Sequence, residues 1–133
     1  MFAPYAFRSV MLALCAVFVL AVPAAAFGMP AAGAVDAATA SELIRSVRPT
    51  VLDVRTDGEF AAGHMPGALH IPAADLERRM EDVPGGRILV LCRSGKRAER
   101  AWNLLHAARP QQEIWFLTGK PRYGTDGSWR FAD

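Results

Sequence analysis

Cysteine is scarce in this chain: only Cys15 and Cys92 are present, too few for the disulfide framework that staples many small secreted domains. An excess of charge is also lacking. Lys and Arg number 15 against 13 Asp and Glu, a net of +2, and the basic residues form no long run, so nothing argues for a nucleic-acid partner. Glycine and proline build no low-complexity tract, and no internal repeat is found. No cluster of His, Cys and carboxylate residues has metal-ligand spacing, so neither a metal nor an organic cofactor is expected.

Long apolar runs are missing too, except at the start. "MFAPYAFR" carries one cation, Arg8, and "SVMLALCAVFVLAV" is then almost wholly apolar until Pro23. Ala24 and Ala26 follow in the small-residue positions that precede a cleavage site. Residues 1–26 therefore read as a secretory signal peptide, which places the mature protein in the periplasm or outside the cell, with no membrane association after cleavage. An uncleaved anchor is the competing reading, because the run from Val10 to Phe27 approaches the roughly 18 to 20 residues that span a bilayer. Leu14 is too large for the position before a lipidated cysteine. Cleavage leaves about 107 residues, enough for one domain with a modest core. We expect a flexible linker over 27–37, where the residues are small and featureless, then a monomeric domain over 38–133.

Within that domain, hydrophobic patterns alternate between two periods. Thr39 and Glu42 in capping-box spacing predict a helix near 40–47. "TVLDV" (50–54) predicts a buried strand, and Thr56 with Glu59 predicts a short helix that stops at Gly63. Ala68–Ile71, bracketed by prolines, predicts a short strand. Leu76, Met80 and Val83 predict an amphipathic helix over 73–83, ended by Pro84, Gly85 and Gly86. "RILVLC" (87–92) predicts a central parallel strand, Lys96–Ala108 a helix and "EIWFL" (113–117) another strand. The tail, 120–133, shows no periodicity and is expected to be irregular. The pattern gives an α/β fold: a mainly parallel sheet flanked by helices on both faces. Ligands of such sheets bind beyond the carboxyl ends of the strands.

Cys92 falls at such an end. Once Cys15 leaves with the signal, Cys92 stands alone in an oxidising compartment, which suggests a reactive thiol or an intermolecular partner. The competing reading is a small buried hydrophobe. Its neighbours favour reactivity: the turn and the start of the next helix can aim backbone N–H groups at one anion. Such a site favours the thiolate, the form that attacks. Arg93, Lys96 and Arg97 add positive charge, Ser94 a hydroxyl donor, and Gly95 the backbone freedom of a tight loop.

"LDVRTDGEFAAGHMPGALHIP" followed by "VLCRSGKRA" resembles the two signatures of single-domain rhodaneses, over roughly Asp36 to Gly119. The resemblance implies a small rhodanese fold, with Cys92 as a persulfide-forming nucleophile and Cys92–Arg97 as the substrate-binding loop. It also implies supporting roles for Asp53, Arg55 and Glu59, with Arg55 and Glu59 expected as a structural ion pair, and a structural role for His64. The activity implied is sulfur transfer from thiosulfate, or a similar small anionic donor, to cyanide, a thiol or a protein. A phosphatase or arsenate-reductase chemistry fits less well. Its Cys-x5-Arg position is Ala98 here, and Arg97 comes one residue early in a tighter loop. Two further classes compete with sulfur transfer: a non-catalytic partner-binding module and a single-cysteine redox protein. The tail departs from the family pattern: Gly119 matches a double glycine that precedes a terminal helix, but Lys120 does not, and Pro121 discourages an immediate helix.

Overall fold

A computed structural model describes residues 28–133; the expected signal peptide, 1–26, lies outside them. Five parallel strands form the central sheet in the order β1 (Gly33–Val35), β5 (Ile114–Leu117), β4 (Ile88–Leu91), β2 (Thr50–Asp53), β3 (Leu69–His70). The helices between them are α1 (Ala37–Glu42), α2 (Asp57–Ala62) and α3 (Lys96–Ala108). β4 and β5 are buried along their whole length, as expected of strands covered on both faces. On one face, Leu52, Val90, Ile114 and Phe116 pack with Ala98, Ala101 and Leu105 of α3. On the other, Val51, Leu89, Leu91, Trp115 and Leu117 pack with Ala37 and Ala40 of α1. The expected α/β architecture with helices on both faces is the one observed.

Four local expectations are corrected. Residues 33–35 of the expected linker are not linker but the edge strand β1, in register with Trp115–Leu117. Trp115 Nε1 also donates to the Pro30 carbonyl at 3.0 Å. Three small residues carry no periodic signal, and this pairing is decided by the neighbouring strand. The first helix starts earlier than Thr39, because Asp36 is its N-cap and accepts from the Thr39 N–H at 2.7 Å. It then widens into a π-type turn over Leu43–Val47.

The third correction concerns 73–83, which forms successive turns and a short 3₁₀ segment at Met80–Asp82 rather than an α-helix. Leu76 and Val83 are buried as the pattern required, but burial of a face does not select the tightness of the winding. Asp75–Arg78 and Arg79–Asp82 are ion pairs three residues apart, a separation that a three-residue turn brings into line.

The tail is the fourth. Residues 120–133 are not irregular: β6 (Lys120–Tyr123) and β7 (Trp129–Ala132) form an antiparallel hairpin. Its turn is closed by the Gly124 N–H on the Ser128 carbonyl at 2.8 Å, with Gly127 at φ +82°. Phe131, Tyr123 and Trp129 join the α1-side core, and Asp133 accepts from the Ala37 N–H at 2.9 Å. Pro121 is tolerated because each strand of a two-stranded ribbon has an open edge.

Candidate active site

Cys92 follows β4 directly, at the carboxyl end of the central strand, and is wholly buried at the base of the loop that leads into α3. The Gly95 N–H donates to Cys92 Sγ at 3.0 Å. That bond depends on a left-handed backbone, with Gly95 at φ +87° and ψ −29° as the N-cap of α3. A Cβ at Gly95 would also lie 2.6 Å from the Thr118 carbonyl oxygen, so the glycine is required by both conformation and space. The sulfur thus sits before the amino end of a 13-residue helix, where backbone N–H groups and the helix dipole favour negative charge.

The remaining loop residues separate into two kinds. Arg93, Ser94 and Lys96 are not all alike in the fold, but Arg93 and Lys96 share one property: neither forms an ion pair with a described carboxylate. Arg97 instead makes a two-pronged contact with Glu59: Nη1 to Oε2 at 2.8 Å and Nη2 to Oε1 at 2.9 Å. Two N–H groups are committed there and the others stay available to a substrate oxygen. Glu59 has a second duty, since it completes the expected capping box of α2 by accepting from the Thr56 N–H at 2.9 Å. The Arg97 hydrogen bonds, then the Thr56 N–H, hold its carboxyl well below the usual range, at about 2.

This corrects the expected Arg55–Glu59 ion pair. Arg55 is paired with Asp53, the wholly buried last residue of β2, through Nε at 2.9 and 3.0 Å and Nη2 at 2.7 Å. Its other bonds go to carbonyls, of Gly63 at 2.7 Å and Glu59 at 3.2 Å. Those contacts occupy four of the five guanidinium N–H groups, so Arg55 fastens β2 to α2 and has little left for a ligand. Its guanidinium lies 4.8 Å from the centre of the Tyr123 ring, a cation–π contact that clamps the hairpin onto the same corner.

His64 does not join the constellation. It is exposed, its Nδ1 lies 2.8 Å from the Phe60 carbonyl oxygen, and its ring stacks on Phe60 at 3.8 Å. His70 stacks on the same phenyl ring at 4.2 Å. Among the described residues, no three His, Cys, Asp or Glu side chains come together as a metal would require.

An open cleft of about 770 Å³ lies over the loop, lined by Arg55, Glu59, Ala62, Arg93, Ser94 and Arg97 on one side. Lys120, Pro121 and Arg122 of the hairpin line the other side, and these three were missed in the sequence. A larger and flatter groove at the amino ends of the strands has no cysteine, serine or histidine in its lining. Its Arg87 is paired with Glu113, and its Arg109 donates to the Met80 and Val83 carbonyls.

A sequence profile of the rhodanese-like domain family matches residues 36–120. The chain belongs to the rhodanese-like domain family. Relatives of this rhodanese-like domain include a human thiosulfate:glutathione sulfurtransferase, 32% identical over 77 residues, which are 47% of this chain and 67% of the relative. A helix-turn-helix transcriptional regulator of Mycobacterium tuberculosis is 44% identical over 62 residues, 44% of this chain and 27% of the regulator. The chain therefore spans only about a quarter of that regulator's length. Among solved structures, a human single-domain sulfurtransferase superimposes with a TM-score of 0.55 at 26% identity, over 65% of this chain and 89% of that one. The rhodanese-like match ends as the hairpin begins, so Arg122 and Arg130 lie beyond it.

Proposed function

We propose that this rhodanese-like domain is a thiosulfate sulfurtransferase that carries sulfur as a Cys92 persulfide. The observation that carries the reading is the Gly95 N–H on Cys92 Sγ, 3.0 Å away, in a loop whose conformation only glycine allows. A cysteine used as a small hydrophobe shares the burial, but it has no need of an aimed donor and a helix amino terminus.

In the first half-reaction, the Cys92 thiolate attacks the outer sulfur of thiosulfate. The donor's S–S bond breaks, its electron pair leaves with sulfite, and the enzyme keeps a terminal sulfur bearing the negative charge. Loop N–H groups stabilise that charge as an oxyanion hole stabilises oxygen. Arg93 and the uncommitted N–H groups of Arg97, which line the cleft, bind the sulfonate by charge-assisted hydrogen bonds, while Lys96, outside that lining, adds positive charge to the loop. In the second half-reaction, cyanide or a thiolate attacks the terminal sulfur, and the electron pair of that bond returns to Cys92. The chemistry requires no cofactor. The apolar amino-terminal segment leads us to place the mature chain in the periplasm or outside the cell.

Substituted-enzyme kinetics follow from this scheme. Mixing the protein with thiosulfate and no acceptor should release sulfite in a burst of one equivalent per chain, and adding cyanide should then yield one equivalent of thiocyanate. Sulfite that appears only when acceptor is present would contradict the persulfide route.

A further inference from the structure

We propose that the β6–β7 hairpin provides an anion subsite for the sulfur acceptor, with Lys120 and Arg122 as specificity-determining residues and a small carboxylate-bearing thiol as ligand. The proposal rests on the persulfide reading above and names the acceptor class that site would take. Side chains of a strand alternate between its faces. Pro121, Tyr123, Trp129 and Phe131 face the body of the protein at intermediate or full burial, whereas Lys120, Arg122 and Arg130 are all exposed. Three cations therefore share one face of a short ribbon.

Two features of that face suit it to an anionic ligand. Arg122 and Arg130 are directly opposite each other in the register, and like charges in that position repel and cost stability. Neither they nor Lys120 are paired with a described carboxylate. A ribbon that keeps this repulsion is complementary to a negative group supplied from outside.

Position connects the face to the chemistry. Lys120 and Arg122 line the same cleft as Arg93 and Ser94 of the cysteine loop. Across that cleft the guanidinium of Arg55 is committed to Asp53 and that of Arg97 is shared with Glu59, so, among the described residues, the hairpin adds two unpaired cations to the one, Arg93, that the cysteine loop supplies. The volume of about 770 Å³ falls within the roughly 300–1,000 Å³ of small-molecule sites. Cys92 is wholly buried, which favours a slender thiol that reaches inward over the bulk of a protein acceptor. Carboxylates on Lys120 and Arg122 would hold such a thiol while its thiolate sulfur, deprotonated in solvent, attacks the terminal persulfide sulfur. The bond to Cys92 breaks, its electron pair returns to Cys92, and the product leaves as the acceptor's persulfide.

The test compares mercaptosuccinate, with two carboxylates, against neutral 2-mercaptoethanol as acceptors from thiosulfate. The full-length mature protein, a Lys120→Ala/Arg122→Ala variant and Arg122→Glu are assayed with each thiol. Wild type should favour mercaptosuccinate in kcat/KM, and the double variant should lose about five- to tenfold of that preference, as expected for two exposed ionic contacts. Arg122→Glu should reduce it further, and high salt should weaken it in wild type alone. Removing Arg122 relieves the repulsion from Arg130, so the variants should melt no lower than wild type, which separates lost binding from lost structure. A preference unchanged in Arg122→Glu would overturn the proposal.

A second arm needs no turnover. Mercaptosuccinate titrated into the Cys92→Ser protein should produce saturable amide shifts in residues 120–130, absent from the double variant. Flat titrations would also overturn the subsite. If wild type never releases sulfite from thiosulfate, the persulfide reading fails, while this titration still decides whether the hairpin binds the anion.

Discussion

Replacing Gly95 with alanine tests how tightly backbone geometry and chemistry are coupled at the cysteine loop. The native φ of +87° costs a residue with a side chain about 1–3 kcal/mol. The added methyl would also lie 2.6 Å from the Thr118 carbonyl oxygen and 3.1 Å from its Cα. These are backbone atoms that cannot rotate away. The Thr118 N–H and hydroxyl are both committed to the Val35 carbonyl, at 2.9 and 3.1 Å, so moving the end of β5 strains the edge strand as well. Overpacking of this kind adds about 1–3 kcal/mol, and the lower entropy of the unfolded alanine chain returns about 0.4–1 kcal/mol. At the middle of these ranges the net loss is about 3 kcal/mol, or about 12–24 °C in Tm for a domain of this size. Thermal unfolding followed by circular dichroism reads the first effect, and thiosulfate-dependent sulfite release below the melting range reads the second. Gly85→Ala is the control: nothing lies within 4 Å of its added methyl, and its Tm should stay level or rise slightly. If Gly95→Ala melts within a few degrees of wild type and releases sulfite normally, the reasoning about this loop is wrong.

Other expectations concern the charged groups around that loop. The Glu59 carboxyl, held near 2 against an ordinary 4.5, stabilises the fold fully above about 4.5 and loses that contribution as the pH falls through about 2. The stability gap between wild type and Glu59→Gln in urea melts should therefore shrink over that acid window, and a constant gap would refute the pairing. Asp53→Ala leaves the Arg55 charge buried without its partner and should cost about 3–5 kcal/mol in denaturant unfolding. The Tyr123 hydroxyl is buried without a partner among the described residues, so Tyr123→Phe should be neutral or stabilising by up to about 1 kcal/mol. Burial raises that phenol to about 12 from 10.0. Wild type should then lose stability as the pH climbs from about 10 toward 12, and the phenylalanine variant should lose less.

Much of the fold was legible because local signals and tertiary context agreed. The helix expected over Lys96–Ala108 begins and ends at those residues, since the alanines and leucine of its inner face repeat at helical spacing and Gly95 starts it. The Thr56–Glu59 capping box was readable for the same reason: its partners are three residues apart and need nothing from elsewhere. Glu59's bond to Arg97, 38 residues away, could not be read from spacing. The family pattern led to Arg55 as the partner of Glu59, whereas Arg55 takes Asp53 and Glu59 takes Arg97. β1 was hidden in small residues, and the 73–83 stretch buried its expected side chains while winding more tightly than an α-helix. The hairpin did carry a signal: Asp126-Gly127 is a turn dipeptide, flanked by the alternating "KPRY" and "WRFA". Pro121 says what the segment cannot be, a helix, and leaves open what it is.

The most direct test of the central claim is intact mass, measured on the mature chain and on Cys92→Ser after incubation with thiosulfate and removal of the donor. The persulfide account predicts the mass of one added sulfur atom on wild type alone, lost on cyanide treatment as thiocyanate appears. A folded wild-type protein that gains no sulfur, or a Cys92→Ser protein that gains as much, would contradict it.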